Sequence, residues 1–454
     1  MPLPSAPRAV PRSAIVGWML FDWAAQPYFT LITTFIYAPF FANAIASDPV
    51  RGQALWGYAT AAGGLVVALC SPIFGAIADA GGGRKPWIAA FGTVLVIASA
   101  TLWFGKPTDT STIPLVLAAF MFGMIAVEFA TVFNNAMMPS LVPSERLGRL
   151  SGAGWATGYI GGILSLVIML GWLAASPQTG KTLFGMQPLF GLDPVMREGD
   201  RASGPFAALW FIVFIIPLFL FTPDQPRKLP LAAAAREGFA MLRDSLRRVQ
   251  RNRNLTFFLL ANMIYTDGLV GLFVFGGIYA SSTFGWGLIE IGIFGILLAV
   301  TGTFGAYFGG RLDDRFSPKL VVLGSLVILI LSLAAILSIG RDHVAIFSVT
   351  PPTPGAPMFS STVERIYVAI GCFIGFAAGP LQAASRTFLV RLAPADRVTQ
   401  FFGLLALSGK VTSFLAPLVV ATVTTAFVSQ KAGMTALLVF FSVGALVLSR
   451  VRVP

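Results

Sequence analysis

Five charged side chains lie inside long apolar segments of this 454-residue sequence, where water cannot solvate them: Asp22, Glu128, Asp267, Arg386 and Lys410. An ionised group at the centre of a lipid bilayer costs roughly 2.5 to 3.5 kcal/mol on the helix-insertion scale, so each one needs a partner or a function. Acidic groups there can exchange protons or hold an ammonium group, and basic groups can hold a carboxylate. The five residues therefore indicate a site for a polar or charged solute within a membrane.

A row of polar residues extends from the first of these charges along one face of a predicted helix. The row comprises Asp22, Gln26, Thr30, Thr33 and Tyr37. Lipid does not tolerate such a row, so we expect it to border an aqueous path in which Asp22, Gln26 and Tyr37 bind solute. Pro27 removes a backbone N–H beside Gln26, which either frees a carbonyl as a ligand or marks an ordinary proline kink.

Glu128 and Asn135 share a face of another apolar segment, and we assign Asn135 to the solute site. A glutamate in a low-dielectric cavity can take up and release a proton near neutral pH. We therefore predict that Glu128 and Asp22 couple protons to solute movement. The alternative is a structural glutamate bonded to a neighbouring helix.

Two interpretations remain open for Asp267 and Lys410, which lie in the same half of the chain. They can neutralise each other as a buried ion pair. Alternatively, Lys410 receives a substrate carboxylate while Asp22 or Asp267 receives an ammonium group, which is the charge complement of a zwitterionic amino acid. Gln382 and Ser385, one helical turn apart, are predicted to add neutral hydrogen bonds.

Membrane-spanning helices must position these residues. The chain is 56% apolar and 11% charged, with a mean hydropathy of +0.80. Soluble proteins carry roughly 25% charged residues, so soluble classes are excluded. Since about 20 apolar residues cross a bilayer, the sequence predicts an all-α membrane protein with twelve transmembrane helices. We place them at 14–45, 55–78, 87–105, 113–138, 151–175, 205–222, 255–282, 287–310, 320–340, 362–390, 399–426 and 432–449.

The distribution of basic residues predicts the orientation. An even number of spans puts both termini on one side, and with the termini inside, 21 of the 31 Lys and Arg residues fall in inner segments and 8 in outer ones. The positive-inside rule then predicts a multi-pass protein of the cell inner (plasma) membrane with both termini cytoplasmic. It also accounts for the net charge of +12, so nucleic acid is not expected as a partner.

Two short motifs recur and divide the chain into halves. Pro-x-acid-Arg, followed after five residues by Gly, occurs twice, and so does Gly-x-x-x-Asp. The copies lie at 143–152 and 394–403 for the first motif, and at 75–79 and 310–314 for the second. Duplicated six-helix bundles are typical of secondary transporters, which bind solute between the repeats.

We therefore predict two six-helix bundles, at 1–222 and 255–454, joined by a cytoplasmic linker at 223–254. The linker contains an amphipathic pattern with separate apolar and basic faces. These faces comprise Phe239, Leu242, Leu246 and Val249, and Arg236, Arg243, Arg247 and Arg251. The pattern fits a helix that lies on the anionic inner leaflet, and it fits a solvated linker helix equally well.

At these motifs the chain resembles the major facilitator superfamily. Residues 75–85 follow the loop signature of that superfamily, although Ala80 and Gly83 depart from it. The resemblance implies two pseudo-symmetric six-helix bundles, and a gate at this loop that controls alternating access. The predicted gating residues are Asp79, Arg84, Lys85, Asp314 and Arg315, together with Arg146 and Arg397 of the repeated Pro-x-acid-Arg motif.

The chain also resembles the vacuole effluxer-like branch, typified by autophagy-related amino-acid effluxers. The matching segments span both halves, at 21–24, 133–139, 152–159, 265–268 and 379–386. The resemblance implies a monomeric secondary transporter in which helices 1, 4, 7 and 10 line a central cavity. The expected solute is an amino acid or a related metabolite, coupled to protons.

Two other functions are kept as alternatives. Met121, Met124 and Met138 suggest an importer of a soft transition metal such as copper, although methionines also fill apolar cores. Asp22 and Asp267 suggest an intramembrane aspartyl hydrolase. The sequence predicts neither a cofactor nor a resident metal, since it has a single histidine, His343, and two cysteines.

Overall fold

The computed structural model describes residues 10–46, 48–176, 179–286, 288–349 and 357–452. Its architecture is helical, with twelve helices that are long and apolar enough to cross a membrane. We number them α1 to α12. Their bounds are Arg12–Ile45, Pro49–Gly81, Lys85–Thr101, Ile113–Met137, Leu147–Ile168, Glu198–Phe221, Arg253–Phe284, Leu288–Arg315, Pro318–Leu337, Thr362–Leu392, Val398–Phe427 and Gln430–Ser449. The predicted number of transmembrane helices is confirmed.

The even-numbered loops, the start of α1 and the end of α12 lie at one end of the molecule, which we call the terminal face. The other end is the opposite face. The loop between α9 and α10 contains a short antiparallel hairpin, in which β1 (His343–Val344) pairs with β2 (Phe347–Ser348). Residues 177–178 and 350–356 lie outside the described residues.

Helix α1 is irregular after its proline. Its α-helical part ends at Pro27, and two π-helical segments follow at Tyr28–Phe35 and Phe41–Ile45. A π turn bonds residue i to i+5, so it rotates every later side chain relative to an α-helix. The polar row predicted from α-helical spacing therefore does not continue to Tyr37.

Helix α11 is also broken. Its first segment ends at Lys410, four residues form turns, and a second segment runs over Leu415–Phe427. Pro417 explains the break, because it has no N–H for the carbonyl of Ser413 and its ring crowds that carbonyl. Helices interrupted in this way expose backbone carbonyls and are common at transporter binding sites.

Small residues let the two halves approach closely. A Cβ added at Gly152 of α5 would lie 2.3 Å from the carbonyl oxygen of Ala306 in α8. Likewise, a Cβ at Gly403 of α11 would lie 2.4 Å from the carbonyl oxygen of Ser71 in α2. Gly152 and Gly403 occupy equivalent positions in the repeated motif, so the repeat corresponds to two equivalent helix crossings.

The linker forms a helix over Leu231–Arg251. Its small residues pack against α2, since a Cβ at Gly238 would lie 2.9 Å from the backbone of Ile77. Phe239 and Leu246, which belong to the predicted apolar face, stay 56% and 44% exposed. One side of the linker helix thus packs on the protein, and part of its apolar side stays exposed.

Candidate transport site between the two halves

Arg386 of α10 is buried and joins the second half to the first. Its Nη1 donates to the carboxylate of Asp22 at 3.4 Å and to the side-chain oxygen of Asn135 at 2.8 Å. Its Nε and Nη2 donate to the hydroxyl and carbonyl oxygens of Ser151, at 3.1 and 3.0 Å. Every guanidinium nitrogen therefore has an acceptor in the first half, as a buried charge requires.

Two tryptophan rings complete the surroundings of this guanidinium. Its carbon lies 5.1 Å from the ring centre of Trp155 and 5.9 Å from that of Trp18. Cations bind to aromatic faces at such distances. Asp22 and Asn135, predicted to bind solute, are thus engaged by Arg386, which connects α10 to α1, α4 and α5.

Lys410 forms a second ion pair across the halves. Its Nζ lies 2.7 Å from Oε1 of Glu128 in α4, and the two side chains remain 32% and 20% exposed. The interpretation that Lys410 neutralises Asp267 is wrong, because its partner is Glu128. The sequence alone did not predict this pair, since the two residues are 282 positions apart.

Asp267 of α7 is 1% exposed. Its Oδ1 has no hydrogen-bond partner among the described residues. A buried carboxylate oxygen without a donor is costly and usually has a role. Asp267 forms no ion pair in the described part of the chain, and the hydroxyl of Thr412 lies beside its carboxylate.

Gln26 and Gln382 both approach α5. The side chain of Gln26 lies against the positions of Gly158 and Gly162. Gln382 donates to the hydroxyl of Tyr159 at 3.4 Å and to the carbonyl of Ala378 at 3.2 Å. Both side chains are partly buried. The hydrogen bonds of Gln382 are long, so its amide can exchange them for hydrogen bonds to a solute, and the amide of Gln26 can bond to a solute as well.

Tyr37 and Ser385 do not border this site as expected. Tyr37 is fully buried, and its hydroxyl donates to the carbonyl of Leu102 at 2.7 Å inside the first half. The π turns in α1 account for this placement, because they rotate Tyr37 off the face of Asp22. Ser385 is also buried, and it is bonded to Tyr265 at 2.7 Å and to Leu381 at 2.6 Å.

At the terminal face, each half contributes an aspartate that binds the start of a helix in the other half. Asp79 accepts from the backbone N–H groups of Thr399 and Gln400 at 3.3 and 2.8 Å. Asp314 accepts from those of Gly148 and Arg149 at 2.8 and 3.2 Å. The positions of these donor residues differ by 399 − 148 = 251 and 400 − 149 = 251, which is the offset of the repeated motif. A carboxylate is stabilised at a helix N-terminus, so both contacts hold the halves together.

Only some of the basic residues predicted for this gate form ion pairs with its aspartates. Arg84 pairs with Asp79 at 2.7 Å and donates to the hydroxyl of Thr399 at 3.2 Å, as a gate residue should. Asp314 pairs with Arg149 at 3.0 Å, whereas Arg315 and Arg146 are exposed and form no ion pair in the described residues. The second copy therefore uses a cation from the facing half.

Lys85 and Arg397 have other partners. Lys85 donates to the carbonyl of Phe219 at 2.9 Å, which lies within its own half. Arg397 donates to Asp244 of the linker helix at 2.7 Å. Hydrogen bonds from Arg397 and Arg248 lower the pKa of the Asp244 carboxyl, so it stays ionised at neutral pH. Arg397 thus binds the linker helix to the second half.

Contacts between α2 and α11 are confined to the terminal side. The first segment of α11 packs along α2, and Gly75 and Gly403 mark the close approaches. The second segment of α11 packs on α7 and α12 instead. The halves are therefore joined at the terminal face and separate between α2 and α11 toward the opposite face.

The methionines of the copper alternative lie among apolar neighbours. Met121 and Met124 both approach Gly63, and Met138 is fully buried in the core of the first half. In the described part of the chain, no group of three or more His, Cys, Asp or Glu residues can hold a metal ion.

Comparison with known families shows to which family this chain belongs. A family model described as vacuole effluxer Atg22-like matches residues 45–454. The chain belongs to the vacuole effluxer Atg22-like family. It is 24% identical over 440 residues to the uncharacterised MFS-type transporter YxiO of Bacillus subtilis (strain 168), covering 95% of this chain and 93% of that one.

Solved structures confirm that this Atg22-like protein has the major facilitator fold. The fucose transporter FucP in its outward conformation matches with a TM-score of 0.70 at 14% identity, over 97% of this chain and 98% of that one. The human organic anion transporter MFSD10 matches with a TM-score of 0.69 at 16% identity, over 96% and 99%. The chain is thus a multi-pass membrane protein and an MFS-type secondary transporter.

Proposed function

We propose that this Atg22-like protein moves a small zwitterionic solute, an amino acid or a close relative, by alternating access coupled to protons. The observation that carries the proposal is the ion pair between Lys410 and Glu128. It joins the halves at 2.7 Å, keeps partial exposure, and lies where α11 is interrupted. Such a pair can open around a solute that supplies charges of its own.

The proposed binding step replaces protein charges by solute charges. The solute carboxylate takes the place of Glu128 on Lys410, and its ammonium group binds Asp267, whose Oδ1 lacks a donor among the described residues. Gln26 and Gln382 add neutral hydrogen bonds. Glu128, deprived of its cation in a low-dielectric space, then takes up a proton. Solute binding and proton uptake are coupled because both compete for the same ion pair.

Alternating access then requires the contacts at the terminal face to open. Asp22, Asn135 and Arg386 form the connection nearest the transport site. Asp79 and Asp314 form the gate at the terminal face itself. We propose that the bundles at 1–222 and 255–454 move against each other about these contacts, in a plasma membrane with both termini cytoplasmic. The terminal face is then cytoplasmic, and the structure represents an outward-open state, in line with its likeness to FucP.

Flux measurements in proteoliposomes test this function. We expect one or more amino acids to be transported, with a rate that rises under an imposed pH gradient and falls when a protonophore removes it. Protein-free liposomes provide the control. Absence of flux for the twenty amino acids would refute the solute class, and flux that is insensitive to the gradient would refute proton coupling.

A further inference from the structure

A cavity of about 920 Å³ lies at the terminal face, away from the transport site. It forms where the end of the linker helix, the start of α7, the loop before α11 and the segment after α12 meet. Arginines dominate its wall, while Leu255, Leu392 and Phe401 supply apolar surface. The arginines are Arg248, Arg251, Arg253, Arg450 and Arg452.

The positive charge of this cavity is compensated only in part by acidic residues of the described chain. No acidic residue lines it among the described residues. Arg248 pairs with Asp244 of its own helix at 3.1 Å, and the other four arginines form no ion pair in the described part of the chain. All five arginines are exposed, so water screens part of their mutual repulsion, and an anion in the cavity would reduce the rest.

Hydrogen bonds fix the walls of the cavity. The side-chain oxygen of Asn254 accepts from the backbone N–H of Arg452 at 3.0 Å. Lys319 donates to the carbonyls of Ser449 and Val451 at 2.8 and 2.6 Å. The segment after α12 is thereby tied to the starts of α7 and α9, and the arginines are presented from a preformed frame.

We propose that this cavity binds a phosphate-bearing anion. Guanidinium groups match phosphate oxygens with paired hydrogen bonds, and four arginines that have no acidic partner in the described part of the chain favour a multiply charged ligand. Two sources supply that chemistry: the headgroup of an anionic phospholipid, or a soluble phosphate compound. The cavity lies where the helices leave the membrane, and the exposed Phe239 and Leu246 of the adjacent linker helix suit the same depth.

A bound anion would connect two moving parts. Arg248 and Arg251 belong to the linker helix, which packs on α2 of the first half, whereas Arg450 and Arg452 belong to the second half. The ligand would therefore add to the contacts that keep the terminal face closed.

The test uses the full-length protein and two matched double variants. Arg251→Gln with Arg452→Gln removes two cavity charges, and Arg243→Gln with Arg247→Gln removes two charges from the linker helix outside the cavity. Pyrophosphate binding in detergent at low ionic strength is measured by calorimetry. Retention of phosphatidylglycerol against phosphatidylcholine is measured by mass spectrometry of the intact protein.

The proposal expects at least one probe to bind, with affinity falling about tenfold or more in the cavity variant and little changed in the control, because only the cavity variant loses charge-assisted hydrogen bonds to the anion. The probe that binds identifies the source. Arg450→Gln with Arg452→Gln serves as a second cavity variant if the first does not purify as a monodisperse protein. Equal weakening in cavity and control variants, or binding of neither probe, overturns the proposal.

Discussion

At the residue scale, the ion pairs between the halves are the central feature. Asp22 and Glu128 were recognisable in the sequence as charges in apolar segments, but their partners were not. Arg386 is 364 positions from Asp22, so no local pattern connects them. The π turns after Pro27 likewise have no signal in side-chain spacing, which is why Tyr37 was placed wrongly.

Removing one partner of the Asp22–Arg386 pair leaves a buried charge without compensation. We expect Asp22→Asn and Arg386→Gln each to lower the free energy of unfolding by about 3 kcal/mol or more. The double variant should cost less than the sum of the two. Unfolding in mixed detergent micelles measures the cycle, and simple additivity would show that the two groups do not interact.

Glu128 is expected to couple protons, and Glu128→Gln separates coupling from binding. The amide has no proton to release, so uptake driven by a pH gradient should fall at least tenfold, while exchange of solute across the membrane continues. Glu145→Gln at the exposed loop before α5 is the matched control. Gradient-driven uptake that survives in Glu128→Gln would contradict the proposed role.

At the element scale, the sequence predicted where the helices lie. It did not predict where a helix is interrupted or how the linker helix packs on the protein. Amphipathic spacing identified the linker helix, but its docking depends on Gly238 and Ala234, whose small size carries no periodic signal. Pro417 did indicate the break in α11, but the predicted helix at 399–426 was continuous and took no account of it. Length and hydropathy define a span, whereas its interior geometry depends on single residues.

The docking of the linker helix is tested by adding volume to its packed side. A Cβ at Gly238 already falls 2.9 Å from Ile77, so Gly238→Val should displace the helix and cost about 1 to 3 kcal/mol of stability. Hydrogen exchange over 231–251 should rise. Ala240→Val, on the exposed side of the same helix, should change neither quantity. Equal exchange in both variants would show that the helix is not held through Gly238.

At the scale of the whole molecule, the repeat corresponds to a symmetric pair of contacts. The two motifs predicted the duplication, and Asp79 and Asp314 were identified as gate residues. The sequence could not predict which groups donate to these two carboxylates, because each aspartate binds the helix start of the opposite half. Arg149 was overlooked for the same reason, although it lies only three residues after Arg146.

These two aspartates are expected to keep the terminal face closed. Asp314→Asn weakens the interaction with Arg149 and with the start of α5, so the distribution of distances across the terminal face should shift to longer values. Asp79→Asn should act in the same direction. Spin labels on α5 and α8, in a background without Cys70 and Cys372, report these distances. Asp109→Asn, which alters a cap at the opposite face, should leave them unchanged.

The account rests on Lys410 as the residue that receives the solute. Thermal stabilisation of the purified protein by transported amino acids, compared between Lys410→Met and Lys431→Met, tests this directly, because bound ligand raises stability by mass action. Both variants lose one lysine, and Lys431 is exposed at the start of α12. We predict stabilisation in Lys431→Met and none in Lys410→Met. Equal stabilisation of the two variants would contradict the proposed site.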